Sequence, residues 1–463
     1  MHTASKKTTN FTEGSLFFRI LTFALPLMAS SLLSIFYNTA DNIVVGRFSG
    51  DPLALAAVGS TSGLNTLVVT FLFGFAGGGA IIVAHRFGAR DEDGVSRATH
   101  TLMTSAILGG ILFCLVGLAV SRPMLILMGT KPELLDSAVL YIQIIFLGIP
   151  GHAIYVFGAG IIRSMGNSKT PLLILSCSGM LNVLLNLLFV IVFKMSVAGV
   201  AIATIISQYA SGICVAAYLI SKRNECYGLH LSRLCIDKTS FIAMLRYGIP
   251  QGLQNSFFSI TAIFMSSAIN TFPTAAVSAR AISSNIDQLC HSTIASFGLA
   301  AVTVIGQNYG AKKPERIKRS LIYLALQTAF LGIIIGNVLL LYADKLALLF
   351  IEAGDPETSA IIDFVAQILA ISLSTSFING TWQMLSGAVR GMGRSITAML
   401  ISLIGAAVFR ILWILFIFPL EPMNTITGLF MLFPCSWTFT GIMLTVACVI
   451  AYKKLKKEIA TNT

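Results

Sequence analysis

Charged residues are scarce in this sequence. Only 11% of its 463 residues are charged and 56% are hydrophobic, whereas soluble domains carry about 25% charged residues. Long apolar runs recur along the whole chain, and a helix needs about 20 such residues to cross a bilayer. The runs are continuously apolar rather than alternating, which excludes a closed β-barrel. The composition therefore indicates an all-α membrane protein that crosses the bilayer many times.

The motifs of several other protein classes are missing. No GxxxxGK[ST] sequence occurs, which argues against direct use of ATP. The eight cysteines form no CxxC pair and no Cys/His cluster, so no zinc site is indicated. The net charge of +12 is spread over short loops, which disfavours a nucleic-acid partner. We expect neither an enzyme nor a bound cofactor.

What the chain does contain is a series of twelve apolar runs, each long enough to span a membrane. Pro26 and Pro250 lie inside the first and seventh runs and are expected to kink them. The predicted spans are residues 16–45, 54–84, 98–120, 136–160, 170–193, 198–220, 241–269, 275–308, 320–342, 358–388, 396–418 and 427–452.

Lysine and arginine indicate the orientation. If the N-terminus is cytoplasmic, most of the 31 basic residues fall in inner segments, including the tail KKLKKE that begins at Lys453. Basic residues collect on the cytoplasmic side of membrane proteins. We therefore expect a monomeric, multi-pass protein of the plasma (inner) membrane, surrounded by lipid, with both termini in the cytoplasm.

The two halves of the chain repeat one another. Three pairs of motifs occur in the same order and at similar separations, which points to a single duplication. The pairs are FALP at 23–26 and YGIP at 247–250, AHRFGAR at 84–90 and GQNYGAK at 306–312, and RSMGNSKT at 163–170 and RGMGRSIT at 390–397.

The duplication predicts how the chain is organised. Each half holds an even number of spans, so both halves enter the membrane from the same side. We predict two six-helix lobes, residues 1–220 and 241–463 with a basic cytoplasmic tail, joined by a cytoplasmic linker at 221–240. A pseudo-two-fold axis along the membrane normal relates them. Such repeats are typical of secondary transporters that hold their substrate near the bilayer midplane.

Several of these stretches resemble the multidrug and toxic compound extrusion family. FYNTADNIVVGRFSGDPLALAAVG at 36–59, GQNYGA and the RSMGNSKTP/RGMGRSIT pair carry the resemblance, which runs over essentially the whole chain. It implies a V-shaped fold of twelve helices. It also implies export of amphipathic, cationic organic compounds and drugs in exchange for H⁺ or Na⁺. The alternative is a flippase of the same superfamily for a lipid-linked oligosaccharide or a peptidoglycan precursor, which would need several cationic side chains in its cavity.

Asp41 is a carboxylate inside the first apolar run, where an ionisable residue costs about 2.5–3.5 kcal/mol. Asn182 and Asn186 share one face of the fifth span, and Thr204 lies near the start of the sixth. These side chains suit a bound proton or Na⁺, and the resemblance implies that Asp41 couples transport to the cation. Many family members carry a second acid where this chain has Asn186. The choice between H⁺ and Na⁺ at Asp41 therefore stays open, as does a structural role in which Asp41 caps its helix or pairs with Arg47.

The second half offers another polar group. Asp287 and His291 lie four residues apart on the eighth span, and Arg410 lies within the eleventh. These side chains are candidates for binding substrate, and His291 titrates near neutrality in its ordinary state. The structural alternative is an ion pair of Asp287 with Arg410 or Arg280.

Other candidates rest on single residues. Tyr37 is a candidate for stacking on a cationic substrate, and Gln251 and Asn255 are candidate substrate contacts on the seventh span. We expect His152 to be a core histidine with a satisfied ring. The run GFAGGG at 74–79 indicates close helix packing rather than a phosphate loop.

Overall fold

The structure, a computed structural model, describes residues 9–48, 53–351 and 356–461, without the side chains of Asn255 and Ser259. No strand occurs in these ranges. We label the long helices α1 to α12. Their bounds are α1 Leu16–Phe48, α2 Ala54–Gly88, α3 Glu92–Leu127, α4 Pro132–Ser164, α5 Lys169–Val192, α6 Ser196–Ser221, α7 Lys238–Ile269, α8 Thr274–Gly310, α9 Pro314–Leu341, α10 Thr358–Ser374 with Ser376–Gly391, α11 Ser395–Ile417 and α12 Ile426–Thr461.

The predicted all-α membrane fold is confirmed. Ten of these helices are long and apolar enough to cross a membrane, and the two parts of α10, which meet at 44°, form an eleventh span. The remaining helix, α7, has 32 residues and coincides with the predicted span 241–269. Several helices continue past the predicted ends, as α3 does at both ends. Hydropathy marks only the part of a helix in hydrocarbon, whereas backbone hydrogen bonding continues into the headgroup region.

The backbone repeats the duplication seen in the motifs. Gly166 and Gly393 occupy the same place in RSMG and RGMG, and their φ angles are +76° and +75°. Arg90 and Lys312 end the second motif pair, with φ angles of 58° and 53°. Because positive φ is uncommon in residues other than glycine, its recurrence at matched positions supports a common origin of the halves.

The chain divides into two compact units. The first is built mainly from Ala29–Gly252, and the second from Phe11–Met28 together with the chain after Gly252. Helices α1 and α7 each pass from one unit to the other two residues after a proline, Pro26 and Pro250. A proline removes one backbone hydrogen bond and crowds the preceding turn, so a helix bends most readily there. Neither proline ends its helix.

Small residues allow α2 and α7 to approach closely within the first unit. A methyl group added to Gly78 would lie 2.5 Å from the backbone N of Gly248 and from the carbonyl oxygen of Met244. No side chain larger than hydrogen fits there without movement of a backbone. The interpretation of the 74–79 run as a helix-packing segment is confirmed.

Helix α4 forms the middle of the first unit and packs against α2, α3 and α6. Ile142 and Phe146 on its inner side are fully buried and belong to the apolar core of the unit. Tyr141, His152 and Tyr155 are only partly buried. These three side chains are left partly accessible because they line a cavity.

Candidate functional site

The first unit encloses a cavity of about 580 Å³ whose wall is drawn from α1, α2, α4, α5 and α6. Most of its lining residues are of polar, uncharged types. Asp41 is the one carboxylate in that lining, and Tyr37, Phe73 and Tyr141 contribute aromatic surface. A mixed polar and aromatic wall with one fixed negative charge is suited to an organic or inorganic cation.

A chain of hydrogen bonds joins the four residues predicted for the cation site. Asn186 donates through Nδ2 to Oδ1 of Asp41 at 2.5 Å and makes a longer contact of 3.4 Å with Oδ1 of Asn182. Asn182 in turn donates through Nδ2 to the hydroxyl of Thr204 at 3.4 Å. The structure thus brings together residues that lie far apart in the sequence. Their role in coupling remains a prediction.

The helical geometry explains this arrangement. Asn182 and Asn186 lie one turn apart on α5 and are both buried, so their amides stack along one face. Thr204 donates its own proton to the carbonyl oxygen of Val200 in the preceding turn, at 2.9 Å. Its oxygen lone pairs are therefore left to accept from Asn182. Oδ1 of Asn186 is buried and has no hydrogen-bond partner among the described residues, which leaves one free acceptor beside Asp41.

Asp41 neither caps its helix nor pairs with Arg47 in the described part of the chain. Helix α1 continues to Phe48, so Asp41 lies inside the helix and does not cap its end. Arg47 lies further along the same helix, and within the described part of the chain no ion pair joins it to Asp41. Asp41 therefore faces the cavity with Asn186 as its hydrogen-bond donor.

Tyr37 lies one turn before Asp41 and lines the same cavity. Its hydroxyl donates to the backbone carbonyl of Ser176 at 3.1 Å. Its ring lies directly on α5 at Gly179, where an added methyl group would come within 1.9 Å of the ring. Gly179 thus makes room for the aromatic ring. The predicted stacking of Tyr37 on a substrate stays a prediction.

Sequence reasoning missed the contribution of α4. Tyr141, His152 and Tyr155 all line the cavity, and Nε2 of His152 is buried with no hydrogen-bond partner among the described residues. The expectation of a satisfied core histidine was therefore wrong: the ring lies near the rings of Phe73 and Tyr155, but it also lines the cavity, and its Nε2 finds no hydrogen-bond partner among the described residues. A helical stripe of aromatic and polar residues on one face of α4 was the signal that could have revealed this wall.

The polar group predicted in the second half also comes together, within the second unit. Arg280, Asp287, His291 and Ser372 line a small cavity of about 150 Å³. Asp287 accepts a hydrogen bond of 2.5 Å from the hydroxyl of Ser372. The ion pair with Arg280 or Arg410 that was considered as the structural alternative does not form among the described residues, and Arg410 donates to the hydroxyl of Ser436 at 3.0 Å. Substrate binding by Asp287, His291 and Arg410 remains a prediction.

The two candidates on α7 are placed differently. Oε1 of Gln251 lies beside Gly77 of α2, where an added methyl group would come within 2.6 Å of it. This contact is a packing contact in the first unit, and Gln251 does not line the cavity that contains Asp41. The side chain of Asn255 lies outside the described residues. Substrate contact by either residue remains a prediction.

Comparison with known proteins supports the same fold. An outward-facing multidrug resistance MATE family transporter of the MOP superfamily superimposes with a TM-score of 0.90 over 98% of this chain and 100% of its own, at 21% identity. The probable multidrug resistance protein YoeA of Bacillus subtilis is 27% identical over 389 residues, 82% of each chain. The multidrug export protein MepA of Staphylococcus haemolyticus is 22% identical over 407 residues, 88% of each chain.

The family profile named MatE matches the chain twice, at residues 26–188 and 250–415. The two matches fall on the two halves and contain two of the three pairs of repeated motifs in full. Together they account for well over half of the sequence. The chain therefore belongs to the MatE family of multi-pass membrane transporters, the multidrug and toxic compound extrusion family, and is not an enzyme.

Proposed function

We propose that this protein is an antiporter that exports amphipathic, cationic organic compounds in exchange for an inward-moving cation bound at Asp41. The observation that supports it is the cavity of the first unit, which has a single carboxylate among aromatic and uncharged polar side chains. Such a wall attracts positive charge and offers aromatic faces to an apolar body. The names of relatives, multidrug resistance and multidrug export proteins, support the same class of substrate.

Exchange requires that cation and substrate weaken each other's binding. Asp41 supplies one negative charge to the whole cavity lining, so the two ligands compete for it. When Asp41 is ionised, it attracts the organic cation and accepts the Asn186 amide. When a cation neutralises Asp41, the attraction for the substrate is lost and the substrate is released.

The hydrogen bonds at Asp41 favour a proton as the coupling ion. Asn186 presents an N–H group, not its oxygen, to the carboxylate, whereas a hard metal cation requires several oxygen ligands. A proton needs only a carboxylate oxygen. Sodium remains the alternative, and it would require both asparagine amides to turn.

We also propose that the transporter acts as a monomer in the plasma (inner) membrane with both termini in the cytoplasm. The concentration of lysine and arginine in the segments assigned to the inner side supports this orientation. Labelling of a C-terminal tag by an impermeant reagent, in intact cells and in inverted vesicles, tests it. Labelling in intact cells would contradict the assignment.

Dye efflux tests the coupling proposal. Purified protein is reconstituted in vesicles with a fluorescent organic cation, and efflux is driven first by a pH gradient and then by a Na⁺ gradient. We expect the wild type to respond to the pH gradient and Asp41→Asn to lose that response. The matched control is Asp136→Asn, which removes an exposed carboxylate paired with Arg122 and should transport normally. An Asp41→Asn protein that responds like the wild type would overturn the proposal.

A further inference from the structure

Three helices of the second unit, α8, α10 and α12, line the small cavity of about 150 Å³, and Arg410 of a fourth helix, α11, lies over the ring of the lining residue Phe433. Arg280, Asp287 and His291 come from α8, Ser372 from α10, Arg410 from α11 and Phe433 from α12. We call these six residues the arginine cluster. It lies in a different unit from Asp41, and the coupling mechanism makes no use of it.

The two guanidinium groups of the cluster share one aromatic ring. The Cζ atom of Arg280 lies 5.9 Å from the centre of the Phe433 ring, and that of Arg410 lies 4.9 Å from the same centre. Arg280 also lies 5.4 Å from the ring of Phe430. Cation–π contacts hold the guanidinium planes in position, but they leave the N–H groups around the edge of each plane free to bond.

Most of those N–H groups have no partner among the described residues. A guanidinium carries five N–H donors, and Arg410 uses one of them, on Ser436, whereas Arg280 uses none. Asp287 does not satisfy them, because its Oδ1 accepts from Ser372 and no ion pair links it to either arginine. Nε2 of His291 is likewise buried without a partner in the described part of the chain.

The charges of the cluster do not balance. Two arginines face one aspartate, so the cluster is net positive even with a neutral histidine. Uncompensated charge within membrane-spanning helices is unfavourable, and a bound anion would remove the excess. Planar guanidinium groups bind carboxylate and phosphate oxygens better than any other protein cation, through two parallel hydrogen bonds.

The helix that carries Arg410 is itself irregular at this point. Helix α11 contains two π-helical turns, Leu403–Val408 and Trp413–Ile417, on either side of the four-residue α-helical segment that includes Arg410. Such turns are rare and are found frequently at functional sites. A π-helical turn changes the direction in which the following side chains point, and Arg410 lies between two such turns.

From these observations we infer that the arginine cluster is a binding subsite for an oxyanion, the carboxylate or phosphate group of an amphipathic molecule. Arg280 lines the cavity and supplies the paired donors, Arg410 adds positive charge beside the lining residue Phe433, and Asp287 limits the affinity by repulsion. The cavity of about 150 Å³ takes the anionic group alone, so the apolar body must lie outside it. The transporter therefore accepts acidic or zwitterionic amphiphiles in addition to the cations proposed above.

The tryptophans of this protein offer a direct assay. All three, Trp382, Trp413 and Trp437, lie in the second unit, and Trp437 contacts His291 with ring centres 5.5 Å apart. Pyrenebutyrate, a fluorescent aryl carboxylate, and its uncharged methyl ester accept energy from tryptophan. Titration of purified protein in neutral-lipid nanodiscs should show the carboxylate binding at least tenfold more tightly than the ester.

Variants give effects of opposite sign. Arg280→Gln and Arg410→Gln should each weaken carboxylate binding about tenfold, Arg280→Lys should weaken it less, and Asp287→Asn should strengthen it. Arg394→Gln, which removes one positive charge from the loop before α11, should leave binding unchanged. Equal affinity for acid and ester, or weaker binding in Asp287→Asn, would overturn the inference. If inorganic phosphate displaces pyrenebutyrate, a small free anion is sufficient for binding at the arginine cluster. If it does not, binding also requires the apolar body of the ligand.

This test is independent of the coupling proposal. Efflux of a cationic dye driven by a pH gradient depends on Asp41 in the first unit and requires no oxyanion site. Loss of carboxylate binding with normal dye efflux in Arg280→Gln would separate the two sites. The thermal unfolding temperature of each variant, compared with that of Arg394→Gln, identifies any that fail to fold.

Discussion

Asn186 on α5 donates its side-chain amide to the carboxylate of Asp41 on α1 across 2.5 Å. This bond joins two helices that are far apart in the sequence, and its acceptor Asp41 lines the cavity of about 580 Å³ in the first unit. A hydrogen bond to a charged group contributes about 1.5–3 kcal/mol. Coupling at Asp41 should therefore depend on Asn186.

Replacement of Asn186 tests this dependence. Asn186→Ala removes the donor, and we expect efflux driven by a pH gradient to fall on the order of tenfold, measured as the initial rate of dye release. The control is Asn337→Ala, because Asn337 is exposed and, among the described residues, bonds only the carbonyl of Ile333 in its own helix, at 2.7 Å. Equal rates in both variants would show that the amide does not act on Asp41.

A second replacement at the same position concerns the choice of ion. Asn186→Asp places two carboxylates side by side, which is the oxygen-rich arrangement that Na⁺ prefers. We expect the variant to gain a response to an imposed Na⁺ gradient that the wild type lacks. Dye efflux at constant pH with and without the Na⁺ gradient measures it. A variant insensitive to Na⁺ would mean that a second acid alone does not create a metal site here.

His152 should affect which substrates are accepted rather than how transport is driven. Its Nε2 borders the cavity without a protein partner, so it is free to bond a substrate. We expect His152→Phe to raise the KM on the order of two- to tenfold for substrates that bond it, with the response to the pH gradient retained. Transport kinetics of two dyes that differ in hydrogen-bonding groups measure this. A uniform loss of transport for both dyes would contradict a role in selection.

Gly78 tests the packing of α2 on α7. Gly78→Ala would press a methyl group to 2.5 Å from backbone atoms of Gly248 and Met244, and overpacking costs about 1–3 kcal/mol. The control, Gly109→Ala, meets nothing within 4 Å and gains helix propensity. Thermal unfolding in detergent should show a lower transition temperature for Gly78→Ala only. A similar temperature for both variants would show that the helices can move apart at little cost.

Asp91 precedes α3 and should make stability depend on pH. It accepts from the backbone N–H of Gly94 at 2.8 Å and pairs with Arg86 at 2.6 Å, and these contacts lower the pKa of Asp91 from its ordinary value of 3.8. Because the folded-state pKa is lowered, the stabilisation is present above about pH 4 and is lost as the pH falls further. Asp91→Ala should lose about 1 kcal/mol at neutral pH.

Asp91→Asn is the comparison for that experiment. Asparagine also caps helix N-termini, so this variant should keep most of its stability at pH 7. Because asparagine does not titrate, the stability of the variant should fall less than that of the wild type between pH 5 and pH 3. Unfolding temperatures across this range measure both effects. An Asp91→Ala protein as stable as the wild type at pH 7 would show that the cap contributes nothing.

Much of the architecture could be predicted from the sequence because the hydrocarbon of the membrane restricts which backbone structures can form in it. In hydrocarbon every backbone polar group must be paired within its own segment, so an apolar run of sufficient length can only be a helix. The repeated motifs likewise predicted a duplication, and the matched positive φ angles at Gly166 and Gly393 support it. The grouping of Asp41 with Asn182 and Asn186 was also foreseen, since these residues lie at compatible depths.

Other features could not be predicted because they depend on which side of each helix is turned toward its neighbours. Depth in the membrane follows from sequence position, but rotation of a helix about its axis follows from packing. His152 therefore looked like a core residue and proved to line the cavity. For the same reason the sequence left open whether Asp287 pairs with Arg280 or Arg410, and in the structure it accepts a hydrogen bond from Ser372.

The sequence by itself determined the class, the spans, the duplication and the family of this protein, because hydropathy and repeated motifs are properties of the chain alone. Only the tertiary structure decided which polar groups meet. It joined Asp41 to Asn186 in one unit, and in the other it placed Arg280 and Arg410 near Asp287 without an ion pair among the described residues. A hydrogen bond requires contact within about 3 Å, and helix packing sets such contacts.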